Sequence, residues 1–155
     1  MEYLLGPDEG EIRWGLDGTL TTIKASGELT GERLGLVEEM ARLNDGIPMH
    51  RHAEDAESFY VLEGQLTFWL GESPPQSAPA GSFVHIPGGT AHSFRVDSDV
   101  ARYLIITTPR HERFYRAISD PATHRDMPGP VELDMDRVEA ACLMYGVEIL
   151  GPPPG

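Results

Sequence analysis

Two histidines and a glutamate within residues 50–57 have the types and spacing of metal ligands. His50 and His52 are two residues apart, so on a β-strand both imidazoles face the same side. Glu57 is an odd number of residues from each, so it can join them only if residues 53–56 form a turn that delivers it to the next strand. Two imidazole nitrogens and one carboxylate oxygen then converge, and this set of donors suits first-row transition metals.

A second segment supplies a third imidazole. Pro87, Gly88 and Gly89 predict a tight turn, and His92 begins the strand that leaves it. Three histidines and one carboxylate leave one or two positions open on a five- or six-coordinate metal, as catalysis requires. Burying these groups together without a cation would be costly, which favours a bound metal. A metal-binding carboxylate can also accept a proton, so Glu57 is the candidate catalytic base.

Composition bounds the class of protein. The chain has 155 residues and a net charge of −13, which argues against nucleic acid or an anionic membrane as partner. A single cysteine, Cys142, excludes a disulfide framework and a cysteine-based zinc finger. The N-terminus has no basic region followed by an apolar one, so no signal peptide is expected and a cytoplasmic location is predicted.

The elements that must position these ligands are mostly strands. From residue 20 to residue 108 the chain breaks into strand-sized pieces between turn residues. Residues 34–43 have a periodicity that also suits a helix, but turn signals on both sides favour a strand. Residues 111–120 and 134–143 predict two short helices. We therefore expect one domain over residues 1–155, with a β-barrel at about 20–108 and a helical extension at about 110–145.

The two segments together resemble the motifs of the cupin superfamily. The first carries the pattern His-x-His-x4-Glu-x6-Gly, preceded by Gly46, and the second carries Gly-x5-Pro-x-Gly-x2-His. The family's second motif usually ends in Asn, where this chain has Val96, but that Asn is not a metal ligand. The resemblance implies an all-β, jelly-roll β-barrel of the double-stranded β-helix type with short C-terminal helices. It also implies one divalent transition metal per chain, and the residues that match the ligand positions are His50, His52, Glu57 and His92.

A finer resemblance concerns activity. Residues 59–64, the Arg-Phe-Tyr helix and the closing segment are similar to small bacterial quercetinase-like cupins, a group that includes polyketide-tailoring cyclases. This implies a dioxygenase that uses iron, nickel or manganese on an aromatic, flavonol-like or polyketide small molecule. The alternatives are a cyclase or isomerase that uses zinc, cobalt or another metal without O2, and a non-catalytic small-ligand-binding protein. Many single-domain cupins pair through an N-terminal strand, so a homodimer is expected.

Several residues near the motifs leave alternatives open. Phe59 shares a strand face with Glu57, and Phe94 shares one with His92, so both are candidates for the substrate pocket or for ordinary core packing. His85 is a third pocket candidate, as a proton shuttle or fifth ligand, although a histidine in such a position more often lies on the outer face of a strand.

The remaining candidates lie outside the two motifs. His111 and His124 stand among charged residues and are expected on the surface, whereas Cys142 is expected to pack in a helix. Glu38 and Glu39 lie on opposite faces of a strand, so one of them could point inward, and nothing in the sequence says which.

Overall fold

Two antiparallel β-sheets form the body of the protein. The computed structural model describes residues 1–129 and 132–155. Seven strands form the larger sheet: β1 (Glu11–Gly15), β2 (Leu20–Ala25), β3 (Gly35–Arg42), β5 (Glu57–Glu63), β8 (Phe83–Ile86), β10 (Val100–Thr107) and β11 (Ser119–Pro121). Five form the smaller: β4 (Met49–His52), β6 (Gln65–Leu70), β7 (Gln76–Pro79), β9 (His92–Val96) and β12 (Val147–Gly151). The predicted jelly-roll barrel is confirmed.

The core joins the two sheets through aromatic rings. Phe59 on β5 and Tyr103 on β10 belong to the larger sheet, whereas Phe68 on β6 and Phe94 on β9 belong to the smaller one. Contacting rings of this group have centroids 5.1 to 5.9 Å apart, the spacing that aromatic pairs prefer. This packing holds Glu57, at the start of β5 in the larger sheet, against the smaller sheet, whose strands β4 and β9 carry the three histidines.

Within residues 34–43 the chain forms strand β3, Gly35–Arg42, as predicted. Along β3 the side chains of Val37, Glu39 and Ala41 alternate into the interior. β3 lies between β2 and β10, with Glu39 in register with Thr21 on one side and Tyr103 on the other. Glu39 is therefore the acidic residue of the Glu38–Glu39 pair that reaches the barrel interior.

Three helices accompany the sheets: α1 (Gly27–Thr30), α2 (Pro109–Ala117) and α3 (Met135–Tyr145). Thr108 caps α2 by accepting a hydrogen bond from the His111 N–H at 3.1 Å. Asp134 caps α3 in the same way, and Gly146 ends it with a φ of 69°. Both helices predicted for the C-terminal part are therefore present, with boundaries shifted by a few residues. None of the helices in the described parts of the chain is long and apolar enough to cross a membrane.

The two sheets also include strands outside residues 20–108, the range predicted for the barrel. β1 and β11 pair at one edge of the larger sheet, and β12 forms the edge of the smaller one. β12 pairs with β4, so that Val147 lies opposite His52 and Ile149 opposite His50. The segment after α3 therefore supports the strand that carries two of the predicted ligands, which a purely helical extension could not do.

Candidate metal centre and adjoining cavity

The three predicted histidine ligands come together inside the barrel. β4 carries His50 and His52, and β9 carries His92 directly opposite His50 in the strand register. The ring centroids are 4.3 Å apart for His50 and His92, 5.1 Å for His50 and His52, and 4.9 Å for His52 and His92. One nitrogen from each ring lies within 4.8 Å of the others, a spacing that could hold one metal ion.

Glu57 approaches this group from the other sheet. Residues 53–56 connect β4 to β5, and Glu57 is the first residue of β5. This connection packs against the turn at residues 87–89, because a Cβ on Gly88 would lie 2.5 Å from the Glu54 carbonyl oxygen. Gly89, with a φ of 87°, donates a hydrogen bond to the His52 carbonyl at 2.7 Å. Glu57 Oε2 then lies 3.3 Å from His52 Nε2.

The backbone fixes which imidazole nitrogens face inward. His50 Nδ1 lies 2.9 Å from the Pro48 carbonyl and His92 Nδ1 lies 2.8 Å from the Thr90 carbonyl. Because a carbonyl only accepts, both Nδ1 atoms carry the proton, and each Nε2 presents its lone pair to the interior. The Nε2 atoms of His52 and His92 are buried and make no hydrogen bond within the described residues. Buried unpaired lone pairs that converge on a carboxylate fit a metal cation.

The electrostatics of the site favour the ligand forms of these side chains. Burial lowers the pKa of His50 to about 4, and burial together with the charge of His111 lowers the pKa of His52 to about 3. Burial alone would raise the pKa of Glu57, but the neighbouring histidines, His111 first, more than offset this and lower it. At neutral pH His50 and His52 are therefore neutral and Glu57 is ionised, as metal binding requires.

His111 also belongs to this site, which corrects the prediction that it lies on the surface. It is 2% exposed, its ring centroid is 3.9 Å from that of His52, and its Nε2 lies 2.9 Å from Glu57 Oε2. The cause is local, because Thr107 pairs with Glu57 and α2 begins at Pro109. His111 is thus at the third helical position, one turn beyond the strand residue that faces Glu57. The other end of the carboxylate, Oε1, accepts a hydrogen bond from the Tyr115 hydroxyl at 3.0 Å.

Two overlapping sets of donors result. One consists of His50, His52 and His92, and the other of His52, Glu57 and His111. Because both sets use His52, they describe one candidate centre rather than two separate sites. Of the charged neighbours of His111, Arg110 and Arg113 are partly exposed, whereas Glu112 is fully buried like His111 itself.

A cavity of about 190 Å³ adjoins the histidines. Its walls are largely apolar, with Phe94 and Ile105 from the barrel, Phe114 from α2, Val138 from α3 and Ile149 from β12. Cys142, which the sequence predicts to pack in a helix, is 8% exposed and also lines the cavity. A concave, mostly apolar space beside a group of metal donors is the usual form of a small-molecule site.

The three predicted pocket residues occupy different places. Phe94 lines this cavity, whereas Phe59 is fully buried in the core and is not among its lining residues. His85 faces outward with Phe83 and its Nδ1 lies 2.8 Å from the Ser58 hydroxyl. The physical reason is the alternation of β8, which turns Ile86 inward and His85 to the outside. His85 is therefore not near the metal donors.

Comparison with known proteins agrees with this architecture. The family model described as Cupin domain matches residues 38–107. A quercetin 2,3-dioxygenase of Bacillus subtilis is 32% identical over 142 residues, which cover 79% of this chain and 42% of that protein. An uncharacterised protein of Streptomyces coelicolor is 36% identical over 58 residues, covering 37% of this chain and 53% of that protein. The chain thus spans about half the length, or less, of these curated relatives.

Two solved structures share the fold. The polyketide cyclase RemF from Streptomyces resistomycificus superimposes with a TM-score of 0.60 and 20% identity, covering 90% of this chain and 92% of that one. A sugar phosphate isomerase of the cupin superfamily from Silicibacter pomeroyi gives a TM-score of 0.59 and 22% identity, covering 68% of this chain and 75% of that one. With the motif residues converging inside a jelly-roll barrel, the family match at residues 38–107 shows that the chain contains a cupin domain.

Proposed function

We propose that this protein is a metal-dependent dioxygenase that acts on an aromatic or enolic small molecule of the polyphenol or polyketide type. The observation that carries the proposal is the buried convergence of His50, His52, His92 and Glu57 at the wall of a mostly apolar cavity. The similarity to a quercetin 2,3-dioxygenase over 79% of the chain supports an oxygenase in particular. A site of this kind suits a flat, largely apolar molecule that presents an oxygen to the metal donors.

The metal expected at these donors is iron, nickel or manganese, with zinc or cobalt as alternatives. When bound, a divalent metal of this kind would supply positive charge for an ionised substrate hydroxyl and, if redox-active, one-electron chemistry towards O2. The apolar walls from Phe94 and Phe114 would hold the ring of the substrate and keep water away from it.

Glu57 is the group that takes the substrate proton. Its carboxylate is ionised because the neighbouring histidines lower its pKa. His111 Nε2, 2.9 Å from Oε2, and the Tyr115 hydroxyl, 3.0 Å from Oε1, hold the carboxylate in place from both ends.

The test is O2 uptake by protein loaded separately with each metal, measured in an oxygen electrode with flavonols and simpler phenols. Glu57→Gln is expected to retain the fold and lose uptake, whereas His85→Ala, which changes an exposed histidine, should retain uptake. Absence of uptake with every metal removes the oxygenase proposal.

The second candidate function is a cyclisation or isomerisation without O2, and the same assay distinguishes it. It is favoured by one observation, the buried carboxyl of Glu39 in the cavity, which could serve proton transfer without any redox step. Substrate consumed by the zinc-loaded protein under nitrogen, with no O2 uptake in air, would support this candidate.

A further inference from the structure

Three polar side chains on adjacent strands form a row in the cavity wall, at the end of the cavity away from the metal donors. Thr21 on β2, Glu39 on β3 and Tyr103 on β10 are in register on adjacent strands, and all three line the cavity. They are 2%, 4% and 2% exposed, so they are among the most buried polar side chains of the protein. The dioxygenase proposal gives them no role.

The row lies at a defined distance from the metal donors. Tyr103 precedes Thr107 by four residues on β10, and Thr107 is in register with Glu57. At about 3.3 Å per residue, the two levels are about 13 Å apart along the strand. A ligand in the cavity could therefore contact the donors at one end and the row at the other.

The row has hydrogen-bonding capacity that the protein does not use. The Thr21 hydroxyl lies 3.0 Å from each carboxyl oxygen of Glu39 and can donate to only one at a time. The Tyr103 hydroxyl makes no hydrogen bond to the described residues, although its side chain is 98% buried and lines the cavity. In an apolar cavity such groups need a partner, and a ligand oxygen or amide can supply it.

The charge around the row limits what this partner can be. Burial, and then the charge of Asp17, raise the pKa of Glu39 well above its ordinary value, which favours the neutral carboxyl, and in that form it can donate a hydrogen bond. Asp17 also lines the cavity, and no lysine or arginine among the residues 1–129 and 132–155 does so. A phosphate or carboxylate would therefore meet acids here, with no cation to balance its charge.

The size of the cavity limits the ligand as well. An apolar cavity of about 150 Å³ holds one benzene ring. The 190 Å³ available here has room for one ring with its substituents, and any further ring must extend towards the mouth.

We propose that Glu39, Thr21 and Tyr103 form a substrate-binding subsite that accepts a neutral hydroxyl, carbonyl or amide group. The substrate would carry an ionisable oxygen at the metal end, one aromatic or enolic ring in the cavity, and an uncharged polar group at the far end. This inference rests on the proposed function for the role of the metal end, and it excludes substrates with an anionic group at both ends, such as dicarboxylates and carboxylated phosphoesters.

The test measures binding to the metal-loaded protein by titration calorimetry, so it needs no turnover. The probes are terephthalamate and terephthalate, two para-substituted rings of equal size. Terephthalamate has one carboxylate and one amide, whereas terephthalate must place a carboxylate at the Glu39 end in either orientation. Wild-type protein is expected to bind terephthalamate about tenfold more tightly than terephthalate.

Three variants test whether the row of polar side chains causes the tighter binding of terephthalamate. Glu39→Gln keeps a neutral hydrogen-bonding group and should bind terephthalamate within about threefold of wild type, whereas Glu39→Leu should bind it about tenfold more weakly. Tyr103→Phe removes only a hydroxyl and should weaken binding by about threefold to tenfold. The matched control is Glu38→Gln, because Glu38 faces away from the cavity and pairs with Arg102 at 3.6 Å. Metal content and thermal unfolding of every variant confirm that fold and metal site are intact.

The outcomes separate this inference from the proposed function. Equal binding of the two probes by wild type, no binding of either, or an unaltered affinity in Glu39→Leu overturns the subsite. If the oxygen electrode shows no uptake but the binding differences appear, the subsite stands and the dioxygenase proposal fails. If uptake is found and Glu39→Leu changes neither probe affinity nor KM, the function stands and the subsite fails.

Discussion

Replacing His92 with leucine is expected to leave stability nearly unchanged or raised in the absence of a divalent metal and to lower it in the presence of one. His92 is 1% exposed and its Nε2 makes no hydrogen bond within the described residues. A buried polar atom without a partner costs about 1–3 kcal/mol, and leucine has no such atom. The exchange also removes the bond from Nδ1 to the Thr90 carbonyl, worth about 0.5–1.5 kcal/mol. The metal-free variant should therefore lie between about 0.5 kcal/mol less stable and about 2.5 kcal/mol more stable than wild type.

With metal present, the wild type is expected to be more stable than His92→Leu. A ligand that binds only the folded state at a hundred times its Kd raises the free energy of unfolding by about 2.7 kcal/mol. In a domain of this length each kcal/mol shifts Tm by roughly 2–4 °C, so the wild type should gain about 5–11 °C. His92→Leu removes one of the donors that hold the ion and should lose most of this gain.

The assay is thermal unfolding by circular dichroism, for each protein stripped of metal and then loaded with nickel, manganese or iron. Elemental analysis of the same samples gives the metal bound per chain. His85→Ala is the matched control, because this exposed histidine contacts Ser58 and none of the proposed donors. Its stability should stay within about 0.5 kcal/mol of wild type, and its metal-induced rise in Tm should be unchanged.

Two results would refute the reasoning. A loss of stability in His92→Leu that is the same with and without metal would show that His92 is a structural residue only. A wild-type Tm that responds to none of the metals would show that the unpaired nitrogens of His52 and His92 do not form a metal site.

Four further predictions concern the fold and the site. Bound metal should saturate at one ion per chain by elemental analysis, because both donor sets use His52; two ions would contradict a single centre. Phe59→Ala should lower the free energy of unfolding in urea by about 3–5 kcal/mol, and Phe59→Leu by less, because the ring is fully buried among other aromatic rings. Thr108→Ala should cost about 1–2 kcal/mol by removing the cap of α2, and Thr108→Ser should restore most of it in the same assay. Burial, with the charge of Asp17, raises the pKa of Asp45 to about 7, so folding binds a proton between about pH 4 and pH 7 and the free energy of unfolding falls as pH rises through this range. Asp45→Asn should therefore gain more stability over wild type at pH 8 than at pH 5. An equal gain at both pH values would contradict this assignment.

The predictions that succeeded depend on local sequence. His50, His52 and Glu57 are joined by one short turn, and the glycines before His92 fix where its strand begins, so spacing alone places these residues. The jelly-roll fold followed from the same motifs. The strand at β3 could be chosen over a helix because turn residues bound it on both sides.

The failures concern contacts between distant parts of the chain. His111 was expected on the surface because its neighbours are charged, but the cap at Thr108 turns it towards Glu57, more than fifty residues earlier in the sequence. β12 was not anticipated because its partner β4 lies even further away in the sequence, and pairing across such distances leaves no periodic signal in a short segment. The choice between Glu38 and Glu39 required the register of β3 against β2 and β10.

Different parts of the sequence supply the proposed metal donors and the cavity wall next to them. The proposed metal donors lie within residues 50–111, whereas Val138, Ile149 and neighbouring residues of α3 and β12 close one side of the cavity. Substitutions in this last stretch would alter the shape offered to a ligand and leave the donors in place. Related chains could thus come to bind different molecules through substitutions in their C-terminal residues alone, while they keep the same metal donors in the barrel.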